Sequence, residues 1–412
     1  MVEVENKPFD SLDTVEAENK ASGSLGTVEE VEIKNTTSKI AMDGSNLLKE
    51  ILVVSEKAAN IARVCRQDQH LLRLLTQEKG EEDKNKRFDA DFKTLADVLI
   101  QEVVKNHLGT VFPLLKSNIH VRNPTYSPTP PVNPSLWERV GPTPEVGVTE
   151  DVYGVWIDPI DSTAEYISGN LSCALVLIGV FNKSDGTPVL GVVNQPFHEQ
   201  TDSSTDNPEV ASSWTGRVYW GVCEEGSRHH SKLLRQEFKR ETLNIAVSSS
   251  ENTAIRDCLL DNGYEVLPLP GAGYKILSVI LNKCDLYLCS KPSTYVWDTL
   301  ACHAILKSMT TQGGIVECRT PHEGCSKGNE CESGGDGECG NMACTKSHGD
   351  SSEEMTGTVG GATGNIVECG RVKRELTYAR YEDRCNRNGL VAYRDMETAE
   401  RVLKQIEHLL PR

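Results

Sequence analysis

The sequence predicts an α/β (α+β) fold of layered helices and strands, and three observations predict it. Short apolar runs bounded by Gly, Pro, Asn and Asp recur between residues 152 and 393. Segments with apolar residues at helical spacing alternate with those runs. At 412 residues the chain is long enough to bury a large core.

Residues 1–41 are acidic and poor in large apolar side chains, so they read as a disordered extension. The folded domain is expected over 42–412. It opens with Leu48, Ile51, Leu52, Ala58, Ile61, Ala62, Leu71, Leu72 and Leu75 at helical spacing, with Asp43 or Ser45 as cap. A charged break from Glu78 to Arg87 follows. Thr94 and Asp97 then have the spacing of a capping box, which opens a second amphipathic helix. Residues 122–150 carry Pro124, Pro128, Pro130, Pro131, Pro134 and Pro142, and read as an extended interruption.

Val152–Ile157 reads as a buried strand. Ala174–Val180 and Val189–Val193 are strands joined by Lys183-Ser-Asp-Gly-Thr-Pro188, which is hairpin chemistry. Further strands are expected at Val218–Val222, Leu243–Val247 and Asp285–Leu288, and a strand pattern resumes at Gly389–Arg394. Helices are expected at Thr253–Leu260, Tyr274–Leu281, Thr299–Met309 and Ala399–Leu410. Residues 318–370 are dense in Gly, Ser, Glu and Cys, without a Cys-x-x-Cys pair. That stretch reads as a disordered insertion, not a zinc site.

A net charge of −17 argues against nucleic acid and anionic membrane as default partners, while leaving a small phosphorylated substrate open. No run of about 20 apolar residues predicts a transmembrane span. The N-terminus lacks the regions of a signal peptide, so a cytoplasmic location with reduced thiols is expected.

The chemistry concentrates at Asp158-Pro159-Ile160-Asp161-Ser162-Thr163, where an apolar strand runs into two carboxylates and two hydroxyls. Pro159 stiffens the turn. Such a turn can aim both carboxylates and the Ile160 carbonyl into one small space, an oxygen environment suited to Mg²⁺. The plain alternative is a polar strand-to-helix turn capped by Ser162 or Thr163. Asp298 stands at the mouth of an apolar helix and Asp97 in the first turn of another. Either is also explained as a cap worth about 1 kcal/mol. Pro270-Gly271-Ala272-Gly273-Tyr274-Lys275 is a small-residue turn whose N–H groups suit a phosphate, with Lys275 adding charge. His229 and His230 read as solvated surface, and Cys223, Cys258, Cys302 and His303 as packed core.

Lys93-Thr-Leu-Ala-Asp97, Asp158-Pro-Ile-Asp-Ser-Thr163 and Trp297-Asp298 resemble the metal-binding signatures of the lithium-sensitive, Mg²⁺-dependent phosphomonoesterases, the inositol monophosphatase and fructose-1,6-bisphosphatase superfamily. Ser55–Arg63, Gly191–Phe197, Gly271–Lys275 and Gly389–Arg394 support the likeness, which covers roughly 43–121, 150–317 and 386–410. It implies a layered αβαβα fold and removal of the 1-phosphate from inositol 1,4-bisphosphate or inositol 1,3,4-trisphosphate. By the same resemblance Asp158, the carbonyl of Ile160, Asp161 and Asp298 hold Mg²⁺, and Asp97 completes the cluster. Asp97 and Thr163 orient the attacking water, while Ser162, Thr163, Ser250, Gly271, Ala272, Lys275 and Ser293 contact the substrate.

The likeness breaks between Asp97 and Asp158. The family places a Gly-Glu-Glu segment there whose glutamates bind metal, whereas this chain reads His120-Val121-Arg122-Asn123. Two missing carboxylates and an added cation are expected to weaken hard-cation binding. Glu138, Glu145, Glu150 and Asp151 are nearby carboxylates, and the sequence singles out none of them. Asn252 stands where the family tends to present a substrate-binding lysine. Two alternatives therefore accompany the phosphatase: an inositol-phosphate-binding protein without turnover, and a bisphosphate nucleotidase of the same superfamily.

Overall fold

The computed structural model describes residues 46–68, 72, 77–78, 92–120, 135–146, 152–201, 213–224, 227–234, 240–309, 312–318 and 374–410. The expected extension at 1–41, residues 122–134, and 319–370 of the expected insertion lie outside the described residues, as do Glu150 and Asp151.

Helix α1 (Leu47–Gln67) begins at Asn46, whose side chain accepts from the N–H of Lys49 at 3.3 Å. The cap is therefore Asn46, beyond both Asp43 and Ser45. Helix α2 (Leu95–Val111) starts with the anticipated capping box, in which Thr94 Oγ1 accepts from Asp97 N and Asp97 Oδ2 accepts from Thr94 N.

Strands β1 (Ile119–His120), β2 (Tyr153–Asp161), β3 (Leu175–Asn182), β4 (Pro188–Thr201), β5 (Ser213–Glu224) and β6 (Ser227–His230) form a six-stranded sheet in sequence order. It is antiparallel except for the β1–β2 pair. Short helix α3 (Thr163–Ser168) leaves the end of β2. The second sheet has five strands in the order β8 (Glu265–Pro268), β7 (Asn244–Val247), β9 (Leu286–Cys289), β11 (Leu390–Tyr393), β10 (Gly314–Glu317). Helices α4 (Thr253–Asp261), α5 (Ala272–Ile280), α6 (Val296–Met309) and α7 (Met396–Ile406) follow, and a five-residue helical turn at Leu136–Val140 precedes β2.

Three apolar clusters define the layers. One joins α1 and α2 to the face of the first sheet that carries Val155, Ile157, Val176 and Ile178. A second joins the opposite face, through Trp156, Leu175 and Leu177, to α5, α6 and one face of the second sheet. The third packs α4 and α7 on the other face of that sheet. The order is helices, sheet, helices, sheet, helices, as the resemblance implies.

Past residue 373 the chain returns as a strap stitched to both sheets. Leu376 N donates to Ile315 O at 3.0 Å, and Trp156 Nε1 donates to Tyr378 O at 3.0 Å. Buried His303 of α6 meets the strap through Tyr378 Oη at 2.9 Å and Glu375 Oε1 at 3.1 Å, while Lys307 Nζ donates to Glu375 at 2.7 Å. Burial on its own raises the Glu375 carboxyl, but His303 and Lys307 outweigh it and hold the group at about 2. A carboxylate held below its ordinary 4.5 stabilises the fold above that value and loses the contribution as pH falls towards 2. The Glu375 side chain is 44 % exposed, so solvent screens the effect to a modest size. Glu375→Gln is therefore expected to flatten the fall in thermal stability between pH 4.5 and 2, measured by melting over a pH series. Parallel profiles for the two proteins would show that these contacts do not set the acid limb.

Candidate active site

The end of β2 departs from regular pairing in a way that sets the site. Asp158 lies opposite Leu177 and Asp161 opposite Leu175, so three residues of β2 span two of β3. Side chains three apart on a regular strand face opposite sides. The extra residue of this bulge returns both carboxylates to one face, the one that Leu175, Leu177 and Trp156 present to α5 and α6. Ile157 and Ile160 fill the opposite face. Ser162 follows at φ 69°, a left-handed conformation that ends the strand, and Thr163 Oγ1 donates to the Ile160 carbonyl at 2.9 Å.

Across from the bulge lies the N-terminus of α5. Tyr274 N donates to Asp161 Oδ2 at 3.0 Å, and Ser162 Oγ lies 3.3 Å from the same oxygen. Asp161 thus stands where a helix N-terminus favours an anion. The turn expected to cradle a phosphate spends this N–H on the chain's own carboxylate. Burial raises the Asp161 pKa, against the opposing pull of Lys275 and of the N–H groups of Gly273 and Tyr274. Gly271 is at φ 63°, and a Cβ there would lie 1.9 Å from Ser162 Oγ and 2.6 Å from Asp161 Oδ2. The backbone can pass that close only without a side chain. Lys275, expected to face substrate, is 4 % exposed; its Nζ donates to Leu269 O at 3.2 Å and lies over the Tyr287 ring.

Asp158 lines a pocket on the other flank, together with His120, Trp156, Ile157, Pro159, Trp297 and Arg384. Burial, then the charges of Arg384 and Lys183, push the His120 imidazole down to about 4. Asp298 is in the first turn of α6, and its Oδ2 accepts from Tyr295 N at 2.8 Å. The Oδ2 of Asp97 accepts from both Thr94 N and Thr94 Oγ1 at 2.7 Å. Among the described residues no three carboxylate, imidazole or thiol groups lie together as a cation site. The donor types nonetheless suit Mg²⁺: all are oxygens, and a cation at Asp161 would offset the desolvation that disfavours its charged form.

Ser250 and Ser293 are carried by the loops after β7 and β9. Sequence reasoning passed over the residue that ties these loops, Glu251. It is 5 % exposed, and its carboxylate accepts from Asn252 N at 2.8 Å, Ser290 N at 3.1 Å and Ser290 Oγ. Asn252 caps α4. Arg384 and Tyr381 on the returning strap belong to no local pattern that the sequence singles out. No described helix is long and apolar enough to cross a membrane.

The profile of the inositol monophosphatase family matches residues 47–346. Inositol polyphosphate 1-phosphatase of Bos taurus is 35% identical over 345 residues, covering 67% of this chain and 84% of the relative. The Homo sapiens protein of that name is 35% identical over 343 residues with the same coverage. 3'(2'),5'-bisphosphate nucleotidase 1 of Mus musculus is 29% identical over 229 residues, covering 53% of this chain and 70% of the relative.

Proposed function

The chain belongs to the inositol monophosphatase family, and from that membership we propose a Mg²⁺-dependent, lithium-sensitive phosphomonoesterase that removes the 1-phosphate of inositol 1,4-bisphosphate and inositol 1,3,4-trisphosphate. The observation that carries the reading is the bulge in β2, which turns Asp158 and Asp161 to one face beside the start of α5. Asp158, the Ile160 carbonyl, Asp161 and Asp298 are the proposed cation ligands, with Asp97 completing the set. Those residues would hold Mg²⁺, and the chemistry the ion would supply there is charge neutralisation for a phosphate group and a more acidic attacking water.

The chain's own groups have separate tasks. Asp97 and Thr163 orient the water; Thr163 Oγ1 is already positioned by its bond to Ile160 O. Ser162 and the backbone of Gly271 and Ala272 face the substrate phosphate from the turn between β2 and α5. Lys275, held inside by Leu269 and Tyr287, acts through its positive field and not through direct contact. Ser250 and Ser293 contact the inositol ring from loops that Glu251 fixes by way of Ser290 and Asn252. Relatives acting on inositol phosphates support this substrate class, as does the mixed chemistry of small polar loops around a buried carboxylate pair. A cytoplasmic location is part of the same proposal.

The test is phosphate release from inositol 1,4-bisphosphate by the purified full chain, with and without Mg²⁺ and Li⁺, alongside adenosine 3',5'-bisphosphate. Mg²⁺-dependent release that Li⁺ suppresses, with preference for the inositol substrate, is expected. Preference for the nucleotide, or no release from folded protein, would overturn the reading.

A further inference from the structure

The strap at 374–388 brings the guanidinium of Arg384 to the pocket that Asp158 lines. Arg384 is held from three directions. Its carbonyl accepts from Val296 N at 2.9 Å, its Nε donates to Tyr381 O at 3.0 Å, and its guanidinium lies 5.6 Å from the centre of the Trp156 ring. Trp156 is itself fixed by its bond to Tyr378 O and by His120, whose ring is 4.7 Å away. These contacts use the backbone, the inner nitrogen and one face of the side chain. Among the described residues, none accepts a hydrogen bond from Nη1 or Nη2.

The acidic residue beside it does not claim it: Asp383 is taken by Arg387 at 2.7 Å. Arg384 thus keeps two donor nitrogens without a described protein acceptor, on a side chain steadied by its Nε bond and by the Trp156 ring, and it lines the same pocket as Asp158. A planar fork of donors matches two phosphate oxygens at once, and stacking on an aromatic ring limits the freedom lost on binding. A guanidinium at this place also offsets the repulsion between Asp158 and an incoming phosphate.

We propose that Arg384 is a substrate-binding residue that takes a phosphate group of a phosphorylated polyol on the flank of the site formed by Asp158, Trp156, Trp297 and His120. The proposal rests on the phosphatase reading for its ligand class but not for turnover. It assigns to the returning strap a role in recognition, beyond closing the fold.

Calorimetric titration of the full chain with inositol 1,4-bisphosphate in EDTA separates the two. Arg384→Gln is expected to weaken binding by roughly tenfold or more, and Arg384→Lys to recover part of the loss, because charge returns without the fork. Melting curves that match wild type establish that the variants are folded, as expected for an exposed side chain. Unchanged affinity in Arg384→Gln, or no binding by the wild-type chain, overturns the proposal. Wild-type binding without phosphate release in the parallel Mg²⁺ assay overturns the hydrolytic reading and leaves Arg384 standing.

Discussion

Asp158→Asn is expected to leave the chain folded and to lower phosphate release by at least about a hundredfold, the usual scale for removing a group that stabilises charge in a transition state. Asparagine keeps the shape of the side chain, which is 8 % exposed on the inward face of β2. What it removes is a negative charge three residues from Asp161, on the face to which the bulge has turned both. Initial rates with inositol 1,4-bisphosphate and a melting curve measure the two halves of the prediction. An asparagine variant that hydrolyses at the wild-type rate would place the chemistry elsewhere. One that melts far below wild type would mean that Asp158 holds the strand end together.

The largest effect on stability is expected from Gly191→Ala. Helix α6 lies directly on the first sheet, and three strands meet it with glycine. A Cβ on Gly191 would lie 1.9 Å from the carbonyl oxygen of Ala301 and 2.9 Å from its Cα. One on Gly179 would lie 2.5 Å from Leu300 Cγ, and one on Gly221 2.8 Å from Ile305 Cα. At Gly191 the obstacle is helix backbone, which cannot rotate aside as a flexible side-chain tip can. The helix must lift from the sheet, opening the cluster formed by Leu300, Ala301, Ile305, Leu177 and Val193. A loss of roughly 3 kcal/mol is expected, at the upper end of ordinary overpacking, and urea unfolding measures it. Because Asp298 is in the first turn of α6, phosphate release should fall with it. Wild-type stability in this variant would mean that α6 does not rest on the sheet as closely as described.

Elements whose signals lie within a few residues of one another are legible in the chain without its fold. Thr94 and Asp97 are three apart, so both bonds of their capping box lie within the first turn of α2. The turn at 183–188 makes the β3–β4 hairpin because Asp185 and Gly186 carry their own turn geometry. The apolar spacing of 48–62 delivers α1, although its cap proves to be Asn46, since several neighbouring polar residues offer nearly equivalent oxygens. The candidate residues were legible for the same reason: Asp158, Asp161 and Asp298 stand in compact local motifs.

What those residues face depends on contacts between distant segments. Whether Asp158 and Asp161 share a side depends on register with β3, a strand outside the motif. Asp161 finds its hydrogen-bond donor on Tyr274, 113 residues away, and that contact gives the α5 N-terminus an anion from the chain itself. Trp156 is fixed by Tyr378, 222 residues away, and so Arg384 comes to stand beside Asp158. Lys275 turns inward because Tyr287 and the Leu269 carbonyl hold it there. Capping and periodicity act through bonds of a few residues' reach, whereas pairing register, close helix-to-sheet approach and the facing of charges arise only when distant segments exclude water together.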